Sequence, residues 1–223
     1  MTQILVVAPH PDDETLGCGG TLLRHKNIGD KLHWLIVTSM YENHGFSSEL
    51  IRLRENEIDQ VNDAFGFETK TRLDFASTQL DTYPMAEIID KIGGVISELS
   101  PGIIYLPFRG DAHSDHAATF DAVTACCKPF RNRQIRKLRI YETLSETEFA
   151  TSPDTRSFEP NMWVNITDYL EEKIAIMKIY NSEMEASPFP RSEENIRALA
   201  RFRGSRSSFL FAESFFSLME IID

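Results

Sequence analysis

Gln3-Ile4-Leu5-Val6-Val7-Ala8-Pro9-His10-Pro11-Asp12-Asp13-Glu14 is the stretch from which the fold is read. Its first half is a short unbroken apolar run, the pattern of a parallel strand buried on both faces. Its second half sets one imidazole and three carboxylates around a rigid proline, directly past the strand end. That is where open α/β sheets carry their chemistry. Working outward, residues 15–26 have helical spacing, and LHWLIVT at 32–38 is a second buried strand. Ser48–Phe65 places Leu50, Leu53, Ile58, Val61 and Phe65 among charges, an amphipathic helix that Gly66 ends. A weaker strand is expected at 71–75. A helix follows over 84–99, with Pro84 near its first turn. Further expectations are a strand at Ile103–Pro107, a helix at 116–127 and a fifth strand at 139–143.

Repeated strand–helix–strand order predicts a parallel sheet with right-handed crossovers. The fold class is therefore α/β: a Rossmann-like, three-layer α/β/α sandwich with a mostly parallel sheet in the order 3-2-1-4-5. Beyond it the pattern is less regular. Residues 143–160 are polar and turn-rich, a loop or hairpin. A helix is expected at 167–185, opened by Thr167 or Asp168 as N-cap. SPFPR at 187–191 is a break, and a short helix over 193–203 ends at Gly204. The aromatic and acidic segment 209–222 is expected to pack back on the body. Residues 1–223 thus read as one domain, a core over 1–142 with a C-terminal helical or irregular extension over 143–223.

The chain has 223 residues, ample for a core without disulfides. Its net charge of -11 argues against a partner that is nucleic acid. Cys18, Cys126 and Cys127 are odd in number and two are adjacent, which points to a reducing compartment. The N-terminus lacks a basic region, and no apolar run reaches membrane-spanning length. The expectation is a cytoplasmic protein with no membrane partner.

Two clusters carry the chemistry. In the first, His10 and Asp13 are three apart, so a turn points both at one ion; imidazole plus carboxylate suits Zn²⁺, with Fe²⁺ or Mn²⁺ tolerated. A polar loop capping the next helix accounts for one acid and not for four groups. The second is His113-Ser114-Asp115-His116, after the fourth strand. An HxxH alone is weak. In the order 3-2-1-4-5, however, strands 1 and 4 are neighbours whose crossovers leave to opposite faces, and their ends flank one crevice. Residues about a hundred apart therefore meet at the switch point. Three protein ligands with an open fourth position are the pattern of a catalytic zinc, whose water has its pKa lowered toward ~7. Cys18 as a fourth ligand would instead make the site structural. Asp12 is placed as general base, and His113 as the group that polarises a carbonyl or steadies an oxyanion. Asp115 orients an imidazole from behind or caps its helix. Glu14 reads as a buried or helix-starting acid. Gly17-Cys18-Gly19-Gly20 lacks the spacing of a dinucleotide loop, and close helix packing suffices to explain its glycines. His25, His33 and His44 stand isolated, as surface or core residues.

VVAPHPDDETLGCGG followed by HSDH resembles the LmbE/PIG-L family of zinc-dependent N-acetylsugar deacetylases. The resemblance is strong from Gln3 to about Cys126. It implies a Rossmann-like fold and metal ligands His10, Asp13 and His116. It also implies Asp12 as base and His113 as the histidine that stabilises the transition state. Arg54 and Glu57 fit the family's RxxE pattern, in which the arginine contacts the sugar; an ordinary i,i+3 helix ion pair fits the same spacing. Arg203-Gly204 and Ala212-Glu213-Ser214-Phe215 look like C-terminal family elements, and Tyr180-Asn181-Ser182-Glu183 resembles a tyrosine-serine stretch near the substrate side of related enzymes. Ser114 stands where many members have proline. No clear match to a PDG-like turn appears at 74–79, which leaves the sugar open. The implied activity is hydrolysis of an N-acetyl group from a small-molecule amino sugar or sugar conjugate; another small amide, or a non-catalytic metal- or sugar-binding module, is the alternative. Homo-oligomers are frequent among related proteins, and the Phe209–Phe216 aromatics suit either core or interface.

Overall fold

A computed structural model describes residues 1–150 and 157–222. The strands are β1 (Gln3–Ala8), β2 (Lys31–Ser39), β3 (Thr69–Ala76), β4 (Ile103–Pro107), β5 (Lys137–Tyr141), β6 (Met162–Asn165) and β7 (Ala212–Glu220). The helices are α1 (Asp13–Asn27), α2 (Ser48–Phe65), α3 (Met85–Leu99), α4 (Ser114–Cys126), α5 (Leu170–Met177) and α6 (Glu193–Ser205).

The apolar run of β1 is explained by its central place. Ile4, Val6 and Ala8 join the core under α1, α2, α5 and α6, while Leu5 and Val7 join the core under α3 and α4. A strand that faces two hydrophobic layers cannot alternate with polar residues. β1 pairs in parallel with both β2 and β4. The crossovers from β1 and β4 leave to opposite faces, so the crevice expected between them exists.

The sheet has seven strands in the order β3-β2-β1-β4-β5-β7-β6. The five parallel strands keep the expected 3-2-1-4-5, and the order differs beyond β5. There β7 adds antiparallel to β5, and β6 adds antiparallel to β7. The C-terminal segment is therefore not a helical or irregular addition alone; it supplies two strands to the same sheet. β6 is only four residues long, too short to show a period.

Helix boundaries depart from expectation at α1, α4 and α5 for reasons that lie in the tertiary structure. α1 starts two residues early because the Asp12 carbonyl accepts from Thr15 N at 3.0 Å and Leu16 N at 2.9 Å, which puts Asp13 and Glu14 inside its first turn. α4 also starts two residues early: His113 is its N-cap, with Nδ1 accepting from Asp115 N at 3.1 Å. α5 is shorter than expected at both ends. Asn165 Oδ1 captures Thr167 N and Oγ1 in a turn, and after Met177 the chain bends so that buried Tyr180 reaches Glu14. Residues 151–156 of the expected loop or hairpin lie outside the described residues. Among those described, no helix is long and apolar enough to cross a membrane.

α1 is broken at Cys18 (φ -146°, ψ 18°), and side chains of β7 and α5 partner backbone groups on either side of the break. The Glu213 carboxylate of β7 accepts from Gly20 N at 2.9 Å, from Thr21 N at 2.7 Å and from Thr21 Oγ1 at 2.6 Å. Lys173 Nζ donates to Leu16 O at 2.8 Å and to Glu213 at 2.7 Å. The anion sits where a helix restarts and the cation where one stops, as the backbone dipoles require. The glycines here serve close packing. A Cβ on Gly17 would lie 2.2 Å from the Tyr141 ring, and one on Gly20 would lie 2.8 Å from Ile166.

Candidate metal centre and active site

The site is assembled at the C-terminal ends of β1 and β4. Past Ala8 the chain is pinned to β2, where Thr38 N and Oγ1 both donate to Pro9 O at 3.1 and 2.8 Å. The turn then closes on itself, with His10 N donating to Asp13 Oδ2 at 2.9 Å. Asp12 adopts φ 121°, a conformation that side chains rarely take, and its backbone N–H is held by Glu14 Oε2 at 3.1 Å. Strain of this kind persists only where the surroundings over-determine it. Glu14 is buried and also accepts from Thr15 Oγ1 and Tyr180 Oη, at 2.6 and 2.9 Å. Burial pushes its carboxyl up to about 7 against those hydrogen bonds.

Two carboxylate–histidine pairs converge on Asp13. His116, from α4, donates Nδ1 to Asp111 Oδ2 at 2.7 Å and turns Nε2 toward Asp13 Oδ2 at 3.3 Å. His10 bonds through Nε2 to Asp115 Oδ2 at 3.0 Å and keeps Nδ1 3.5 Å from Asp13 Oδ2. Asp115 is itself fixed by Thr78 N at 2.8 Å and Leu80 N at 3.0 Å, from the segment after β3. It lies behind an imidazole and is not the α4 cap. Carboxylates in this position set the tautomer and orientation of metal-binding imidazoles.

The donor atoms of His10, Asp13 and His116 lie within 4.8 Å of one another, and so do those of His10, His113 and Asp115. Hydrogen bonding separates the two groups. Asp115 already receives two backbone N–H groups and His10, whereas His116 Nε2 is buried without a hydrogen-bond partner among the described residues. A buried nitrogen aimed at a carboxylate and short of a partner is what a cation would complete. Two imidazoles and one carboxylate are also a donor set that zinc favours. Cys18 belongs to neither group; its thiol meets Glu14 O at 3.4 Å.

Charge follows the same logic. Burial disfavours a charged His116, yet Asp13 and Asp111 hold its pKa well above the usual imidazole value. Burial likewise opposes the His10 charge, and its bonds to Asp115 and Asp13 raise it to about 9. Burial would lift the Asp13 carboxyl, but His116 and His10 draw it far below the ordinary range. Protons on two imidazoles thus stand where a divalent cation would balance the same acids. Asp12 behaves oppositely: burial, then Asp13 and Glu183, push its carboxyl well up, against Arg191 and Arg54. Burial, then His10, lowers His113 to about 4, with Asp115 opposing.

A cleft of about 240 Å³ opens onto these groups, with Asp12, His113, Arg54, Glu146 and Arg191 on its walls. The structure brings His10, Asp12, Asp13, His113, Asp115 and His116 together. Arg54 borders the cleft with its guanidinium engaged inside the protein, donating to Pro11 O at 2.9 Å and Ser182 Oγ at 3.0 Å and pairing with Glu183. Its Nε lies 3.1 Å from Glu57, so the i,i+3 ion pair is present as well. Sequence reasoning missed Asp111, Glu146 and Arg191. Asp111 precedes His116 by five positions, a spacing without a helical or strand signature. The others come from loops whose approach to β1 only the tertiary structure reveals.

Comparison with known proteins points to one family. The diacetylchitobiose deacetylase of Thermococcus kodakarensis is 27% identical over 222 residues, covering 95% of this chain and 81% of that protein. A probable N-acetyl-alpha-D-glucosaminyl L-malate deacetylase 2 of Bacillus cereus is 26% identical, with 82% and 84% covered. The crystal structure of the conserved protein TT1542 from Thermus thermophilus superposes with a TM-score of 0.78 at 26% identity, covering 100% of this chain and 97% of that one. The GlcNAc-PI de-N-acetylase family, PIG-L, matches residues 5–127, which hold both clusters of the site. On a match over more than half of its length, the chain belongs to the PIG-L family.

Proposed function

We propose that this protein is a metal-dependent N-deacetylase that hydrolyses the N-acetyl group of an amino sugar or sugar conjugate, giving acetate and a free amine. The observation that carries the reading is the buried, unpartnered His116 Nε2 facing Asp13 beside His10, with Asp12 and His113 at the same cleft. A non-catalytic binding module would need neither of the last two. The names of the relatives supply the amide and the sugar. The continuous sheet supports reading residues 1–223 as one domain.

We assign His10, Asp13 and His116 to hold Zn²⁺, a choice that rests on their donor types; Fe²⁺ fits the same donors. Zinc bound there supplies Lewis acidity, polarising the amide carbonyl and lowering the pKa of water. The protein's own groups do the rest. Asp12, with its raised proton affinity, takes a proton from the attacking water and returns it to the leaving amine. His113 accepts at Nδ1 from Asp115 N, so the neutral ring carries its proton on Nε2 and donates to the developing oxyanion. Its lowered pKa keeps it in that neutral form. Asp115 and Asp111 hold the ligand imidazoles. At the cleft wall, a sugar hydroxyl reaches Arg54 by replacing Ser182 or Glu183 as acceptor.

The test is acetate release from N-acetylglucosamine-type substrates by purified protein, before and after chelation, with metal content measured on the same sample. Chelator-sensitive release with one bound metal is expected. Replacing Asp12 by Asn leaves the metal in place and lowers kcat by about 10²–10⁴-fold. Full turnover in that variant removes the assigned base.

A further inference from the structure

We propose that Arg191 is a positioning residue for Asp12, supplied to the active site by the segment between α5 and α6. The inference rests on Asp12 being the base. Asp12 is an unfavourable place for a negative charge: it is 4% exposed, adjoins Asp13 and sits in a strained turn. Glu14 secures its backbone but not its carboxylate. The carboxylate is held by Arg191, whose Nη1 donates to Oδ2 at 2.9 Å. Among the described residues no hydrogen bond reaches Oδ1. Arg191 therefore occupies one carboxylate oxygen, fixes the rotamer, and leaves the other oxygen for the proton.

Arg191 is itself rigidly presented. It directly precedes Ser192, the N-cap of α6, whose N–H donates to Phe189 O at 3.0 Å. Asn195 Nδ2 donates to the same carbonyl at 3.1 Å, and the Phe189 ring lies 5.7 Å from the guanidinium carbon. Arg191 Nη1 also lies 3.0 Å from Glu183 Oε2, and Glu183 pairs with Arg54. The base is thus tied through two arginines and a glutamate to both the α2 wall and the C-terminal segment. An ordinary surface ion pair contributes little. Here the side chains are only 23% and 6% exposed, and one partner is the group that must hold a proton acceptor in line. Small displacements of such a group cost rate rather than binding.

The two roles open to an arginine on this wall predict different kinetics. A positioning residue acts on kcat through Asp12; a residue that grips substrate acts on KM without it. Arg191→Ala, Arg191→Lys, Asp12→Asn and the Ala/Asn double variant are prepared as full-length, metal-loaded enzyme. For Arg191→Ala, kcat is expected to fall by about 10²-fold with KM within about threefold and metal content unchanged. Millimolar guanidinium is expected to restore part of that loss. Arg191→Lys, which keeps charge and stem should the alanine variant not fold, is expected to fall between the two. In the Asp12→Asn background the alanine change is expected to add almost nothing, because the group it positions is gone. A kcat near wild type, a loss confined to KM, or the same fold-loss in both backgrounds overturns the proposal. Undiminished turnover in Asp12→Asn alone overturns the base assignment instead, so the two failures are distinguishable.

Discussion

Two histidines, each bonded to a carboxylate, lie toward opposite ends of the sheet, and they are completed differently. Toward the end where β1 and β2 begin, His25 has both nitrogens satisfied, Nδ1 by Asp30 at 2.8 Å and Nε2 by the Tyr105 hydroxyl at 2.9 Å. His33 is closed in the same way by Thr69 and Gln3. At the opposite end His116 has Asp111 on Nδ1, but its Nε2, 3.3 Å from Asp13 Oδ2, is left without a hydrogen bond among the described residues. Burial lowers the His25 pKa despite Asp30, whereas two flanking acids raise that of His116 despite burial. An imidazole with both nitrogens closed staples the fold; on the function proposed above, one with a nitrogen open toward a carboxylate takes a cation.

The sharpest way to break this comparison is to remove each histidine in turn. His116→Ala is expected to abolish both metal binding and turnover, read by metal analysis and acetate release. His25→Ala is expected to leave both near wild type while unfolding about 1–3 kcal/mol more easily, since it strands the Asp30 and Tyr105 groups. Equal metal loss in the two variants would dissolve the distinction.

Between the two ends lies the break in α1, where the buried Lys173–Glu213 pair partners the interrupted helix. Glu213→Ala leaves the buried Lys173 ammonium with the Leu16 carbonyl but without its counter-charge, and takes the acceptor from two backbone N–H groups. A loss of about 3–5 kcal/mol in denaturant unfolding is expected. A loss below about 1 kcal/mol would show that the break relaxes without its partners.

His113 sharpens the picture within the site, because it lines the cleft and is not assigned as a ligand. His113→Ala is expected to lower kcat by about 10²–10³-fold with KM and metal content little changed. Loss of the metal would instead move His113 into the ligand set.

The smallest effect is that of pH. The His10 pKa of about 9 in the folded, metal-free protein exceeds its ordinary value of 6.5. Its charged form therefore contributes stability that is fully present below pH 6.5 and is lost as pH rises through about 9. A bound metal displaces the same proton, so metal affinity rises over that window. The Tm gap between loaded and chelated protein is expected to widen from pH 6.5 to 9, and a constant gap would contradict the proton–metal exchange.

By itself the sequence determined the parallel core, because a strand buried on both faces must be apolar throughout. Ile4 to Ala8 and Leu32 to Val37 show it without help from the rest of the chain. It also determined Ser48–Phe65 almost to the residue, through a serine that caps the helix and a glycine at φ 69° that stops it. The crowding of His10, Asp12 and Asp13 past a strand end was legible for the same local reason. The partners of those groups were not. Asp111 behind His116, Arg191 on Asp12 and Glu213 in the α1 break are contacts made across long loops, or from positions without a local period. Each is fixed by the need to satisfy a buried charge or N–H group, and that need exists only once the chain has folded around it.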